Sequence, residues 1–88
     1  MRASVHDQAV IKGCCVALLR AVEAEDADRV AFYRCILEMS CRLFLPAKKQ
    51  WEINGFFMLE GHVQNGQWRL AHKAATAFVQ HTLQTCKD

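Results

Sequence analysis

Residues 47–71, AKKQWEINGFFMLEGHVQNGQWRLA, decide the fold. As a helix the stretch performs badly. Trp51, Ile53, Phe56, Phe57, Met58, Leu59 and Val63 scatter around the helical wheel and leave no polar face. Gly55 and Gly61 would each cost a helix about 1 kcal/mol relative to alanine. As strands it performs well. Asn54-Gly55 and Asn65-Gly66 are preferred dipeptides of the two-residue type I′ hairpin turn, and both are flanked by strand formers. A turn at Asn65-Gly66 sets Gln64 opposite Gln67, Val63 opposite Trp68, His62 opposite Arg69 and Gly61 opposite Leu70. Leu59, Val63, Trp68 and Leu70 then share one face, while Glu60, His62, Gln64, Gln67 and Arg69 share the other. A slip of one residue destroys that sorting. The pattern predicts a three-stranded antiparallel meander over 49–53, 56–64 and 67–71.

Upstream of this stretch the period changes to 3.6. Ser4-Val5-His6-Asp7 fits a helix start, with Ser4 as cap and Asp7 at the positive helix end. Ile11, Cys15, Leu18, Leu19 and Val22 form a stripe, widened by Cys14, Val16 and Ala17, which predicts a helix over about 5–24. Gly13 sits in its middle, as a small cost or a point of close helix contact. The acids of Glu25-Asp26-Ala27-Asp28 suit a second helix start. Val30, Tyr33, Leu37, Cys41 and Phe44 trace its apolar face. Arg29, Arg34, Glu38 and Arg42 lie mostly opposite, with Arg34 and Glu38 at i,i+4 reach. Pro46 closes a helix of about 27–44 and biases Leu45 out of the helical region. The short connection makes the two an antiparallel hairpin.

Downstream, Ala71, Ala75, Phe78, Val79, Thr82, Leu83 and Cys86 form another helical stripe, with Lys73, Gln80 and Gln84 opposite. Trp68 continues its phase, so a helix beginning at Gln67 is the competing reading, and it turns the fold into four helices. Gly66-Gln67-Trp68-Arg69-Leu70-Ala71 resembles the G-x-[YW]-x-x-A opening of the second helix of a tetratricopeptide unit. Gln8, Ile11 and Gly13 also recur as Gln50, Ile53 and Gly55, at an offset of 42 rather than the 34 of that family. Asn65 to His72 resembles a closing hairpin strand of nuclear-transport-factor-2-like domains, a fold with more strands than this chain holds. Neither resemblance covers enough of the chain to carry a function over, and no family is assigned on either. The expected architecture is α+β: an N-terminal helical hairpin, the meander and a C-terminal helix. The alternative is all-α, four helices, tetratricopeptide-like.

Composition sets the outer bounds. The 88 residues allow one domain, 1–88. At 52% hydrophobic the chain is too apolar for disorder and holds more apolar side chain than a lone small domain hides easily. The net charge is +2, all of it from residues 47–88, and the pI of about 8.4 lies below that of a dedicated nucleic-acid binder. Cys14, Cys15, Cys35, Cys41 and Cys86 are odd in number and form no framework. Cys14, Cys35 and Cys41 lie in apolar runs, where cysteine acts as a small hydrophobe. Cys86, near the end of the chain, is the one expected to be exposed and oxidisable. A reduced, cytoplasmic protein is expected, with no signal peptide and no membrane span.

Chemical signatures are missing. His6, His62, His72 and His81 show no metal-ligand spacing. No phosphate loop, nucleophile elbow or paired-carboxylate constellation occurs, so no catalytic residue, metal or cofactor is expected. The reading is instead a non-enzymatic protein-interaction module: an adaptor, inhibitor or chaperone-like subunit, pairing with itself as a homodimer or with another protein. Its interface is expected at Trp51, Ile53, Phe56, Met58 and Trp68, apolar residues on sheet faces that three helices cannot cover. One alternative is a nucleic-acid-associated regulator using Arg42, Lys48, Lys49, Arg69 and Lys73. Another is a small-molecule binder with a pocket between sheet and helices, lined by the aromatics and His62.

Overall fold

The structure, a computed structural model, describes residues 5–44 and 58–86. They form α1 (Val5–Glu23), α2 (Ala27–Phe44), α3, described over 58–64, and α4 (Trp68–Cys86). No strand occurs among the described residues. The α+β expectation is therefore overturned, and the all-α alternative fits. Residues 58–64 and 68–71, read as the second and third strands, are helical. The first strand, 49–53, and the Asn54-Gly55 turn lie outside the described residues.

The reason lies in one dihedral angle. A type I′ turn needs positive φ at both central residues. Among described residues Glu25 is the only non-glycine with positive φ, so Asn65 does not meet the requirement, whereas Gly66 has φ 70°. Asn65-Gly66 is instead the C-terminal cap of α3. Gly66 N–H donates to the Val63 carbonyl at 3.1 Å and Gln67 N–H to the His62 carbonyl at 2.8 Å. This is the Schellman pattern, in which a left-handed residue lets two N–H groups reach back to the last free carbonyls.

The α1–α2 turn is built the same way. Glu25 (φ 54°) donates to the Val22 carbonyl at 3.0 Å, and Asp26 N–H to the Ala21 carbonyl at 3.0 Å. Each bond of this turn has its counterpart 41 positions later, through Val30 N–H to Asp26 and Ala71 N–H to Gln67. The chain is thus two helical hairpins of one construction, at a period of 41 rather than the 42 suggested by Gln8, Ile11 and Gly13. Asp26 does double service: its Oδ1 accepts the Arg29 N–H at 3.1 Å, capping α2.

A left-handed glutamate is strained where a glycine is not, by about 1 kcal/mol. Glu25→Gly should therefore stabilise the protein by about 1 kcal/mol, and Gly66→Ala should destabilise it by about the same. No atom lies within 4 Å of a Cβ built on Gly66, so its penalty is backbone alone. Urea unfolding of the two variants reads both signs, and a destabilised Glu25→Gly would refute the shared cap.

The core sits around α1, which packs against both α2 and α4. Ile11, Cys15, Leu18 and Val22 are buried along one stripe, as their spacing predicts. They meet Val30 and Leu37 of α2, Leu59 of α3 and Ala71, Ala75, Phe78 and Val79 of α4. Ala71 and Ala75, both fully buried, let α4 lie close to α1. Thr82 is buried too, and its hydroxyl finds no partner among the described residues. Helix bounds for α1 and α2 match the reading from periodicity. The faces of the expected hairpin do not survive: Leu59 is fully buried, whereas Leu70, assigned to the same sheet face, is exposed.

Candidate functional site

α2 presents two stripes. Val30, Tyr33 and Leu37 face inward. Phe32 lies two residues from Val30, and at 100° per residue it points to the far side of the helix. Phe32 is 59% exposed and Met39 64%, and Cys35 between them is exposed as well. Phe32 packs edge-on against Tyr33, with ring centroids 5.1 Å apart. Burying large apolar side chains is worth about 1.5–3 kcal/mol each, so leaving these two in water forgoes much of that stabilisation. Cys35 corrects the expectation that it is a core residue. Cys14 is half-buried, and burial pushes its thiol above the usual range; Cys15 is buried.

Beside this stripe runs an open groove of about 260 Å³ between α1 and α2. Gly13, Val16, Ala17 and Tyr33 line it, with Arg20 and Arg29 at one end. Nothing lies within 4 Å of a Cβ built on Gly13, so this glycine marks no close helix contact. Val16 is 48% exposed. Arg29 pairs with Asp26 at 3.4 Å across one helical turn in full view of solvent, a pair worth little. On the other side of α2, Arg34 reaches Glu38 at 3.7 Å and Glu60 of α3 at 3.8 Å. That clasp ties the two hairpins together, and the i,i+4 half of it was legible in the sequence.

The expected interface residues are described only in part. Trp51, Ile53 and Phe56 lie outside the described residues. Met58 is 58% exposed at the start of described α3, whereas Trp68 is half-buried and packs against the core. Strand geometry does not place Met58 and Trp68 together, since both are helical. The signal that marks Phe32, Cys35 and Met39 was present: a second apolar stripe out of phase with the first.

Of the expected nucleic-acid contacts, Lys48 and Lys49 lie outside the described residues, and Arg42 is in the last turns of α2. Arg69 and Lys73 are exposed one turn apart on α4, which carries no acidic residue, and line an open groove of about 610 Å³ with Leu70 and His72. Two such cations give a salt dependence of only about −1.8 in log K per decade. A pocket between sheet and helices falls with the sheet. No group of three His, Cys, Asp or Glu able to hold a metal occurs among the described residues, and none of the described helices is long and apolar enough to cross a membrane. No protein-family model, curated protein or solved structure matches the chain.

Proposed function

We propose that the chain is a non-enzymatic protein-interaction module whose contact surface is the outer face of α2, extended by the α1–α2 groove. One observation carries the reading: Phe32 and Met39 stand largely in water on one helix face, with the exposed Cys35 between them. Aromatic and methionine side chains are enriched at the centres of protein interfaces. The same α2 is anchored on its inner side by Val30 and Leu37 and clasped by Arg34, so the outer face is presented on a held element. Cysteines that form no regular framework support a reducing, cytoplasmic setting.

A photo-activatable residue at position 32 tests this in the cells that make the protein. It should cross-link the chain to protein in discrete, reproducible bands. The same residue at position 80, on the exposed side of α4, should give none. Equal labelling from both positions, or none from 32, would remove the interaction reading.

A further inference from the structure

The second hairpin fills a place that the first leaves open. We propose that the groove between α2 and α3 is a seat for a tryptophan side chain presented by a partner protein. The groove, of about 320 Å³, is lined by Ala27, Val30, Ala31 and Arg34 of α2 and by Glu60 and Val63 of α3. Because the hairpin turns repeat at 41 residues, the edge between α2 and α3 corresponds to the edge between α4 and α1. Counting on from α2, Val30 corresponds to Ala71 and Arg34 to Ala75; counting back from α3, Val63 corresponds to Val22 and Glu60 to Leu19. The counterpart of Ala27 is Trp68, and that of Ala31 is His72.

Along α4 the equivalent space is taken. Trp68 and Leu19 both pack against the core, and His72 reaches across to Glu23 at 3.8 Å. Along α2 the same two positions are alanines, and both are exposed. The buried Val30 and partly buried Val63 thus form an apolar floor with no ring laid over it from position 27. An indole is what this chain itself places at the equivalent edge. Glu60 favours an indole over a phenyl ring. Its Oε2 lies 3.8 Å from Arg34, and its Oε1 accepts from Gln64 at 3.4 Å. Both contacts are long, so the carboxylate keeps acceptor capacity for an indole N–H, a donor that phenylalanine lacks. Tryptophan seated in a pocket is also a common anchor of protein interfaces. The seat lies on a different edge of α2 from Phe32 and Met39 and does not depend on the outer-face reading.

N-acetyltryptophanamide, titrated into the full chain and followed by methyl NMR, should shift Ala27, Ala31 and Val63. N-acetylalaninamide should shift none of them, and N-acetylphenylalaninamide should bind several-fold more weakly. Ala27→Trp supplies the ring from within. It should raise the melting temperature by a few degrees and weaken binding of the probe roughly tenfold or more. Should that variant disturb the start of α2, which circular dichroism reports, Ala31→Leu narrows the groove independently and should weaken binding likewise. Trp68→Ala should lower the melting temperature and open a second seat, seen as new probe-induced shifts at Ala71 and Ala75. Three results overturn the proposal: no shift up to the solubility of the probe, shifts scattered over the whole surface, or binding indifferent to the groove-filling variants. Cross-linking from position 32 reports the outer face of α2 separately, so either reading can fail while the other stands.

Discussion

Leu18→Ala should remove about 3 kcal/mol of stability, the usual result of emptying a fully buried leucine site. Leu18 is fully buried in the C-terminal half of α1, the helix that packs on both α2 and α4, so its truncation empties part of the shared core. For a chain of this length the total stability is about 4–13 kcal/mol. The loss should therefore lower the melting temperature by about 12–20 °C. Thermal unfolding followed by circular dichroism reads it directly, with Val10→Ala as the comparison. Val10 is on the same helix but 44% exposed, and its truncation should cost less than about 0.5 kcal/mol. Equal losses from the two variants would contradict the placement of the core.

Leu59→Ala should cost about as much, roughly 3 kcal/mol, but in a different way. Leu59 is the one fully buried side chain among the described residues of α3, with Val63 only partly buried beside it. Besides Leu59, the described part of α3 has the half-buried Arg34–Glu60 pair at 3.8 Å, and one pair at that separation does not replace a buried leucine. The variant should release α3 before the rest of the protein unfolds. Hydrogen exchange should show protection lost over 58–64 while α1 keeps its own. If all helices lose protection together, α3 is part of one cooperative unit with α1. If no protection is lost anywhere, Leu59 does not anchor α3.

The contrast between Leu59 and Leu70 shows why part of the fold was legible and part was not. The first hairpin could be read because its signals agree. Ile11, Cys15, Leu18 and Val22 keep one helical phase, Asp26 marks the start of α2, and Val30, Tyr33 and Leu37 resume the phase. In the second hairpin two signals conflict. Asn-Gly is a strong hairpin-turn dipeptide and also a sound helix terminator, since glycine serves any positive-φ position. Residues around it alternate apolar and polar over a few positions, which favours a period of two over that short span. What decides lies further along, in Trp68, Ala71, Ala75 and Phe78, which hold helical phase for three turns. Longer runs outweigh a dipeptide. The exposed stripe of α2 is hard to read from sequence for a related reason. Uncovered apolar side chains are expected on a two-faced sheet, while Phe32 and Met39 stand exposed on a helix whose core stripe is already accounted for.

The two matching turns also bear on how the chain reaches its structure. Each joins helices adjacent in sequence, and each is closed by bonds that span no more than five residues. Closing such short loops takes well under a microsecond, and helices grow on a similar timescale. Folding can therefore begin at either turn, with no distant segment to be captured first. The docking of one hairpin on the other through α1 and α4, where Ala71 and Ala75 lie in the shared buried cluster, joins residues far apart in sequence and is expected to be the slower step. Substitutions at the turns should change the folding rate where those turns form early, and substitutions at Ala75 should act mainly on that docking step.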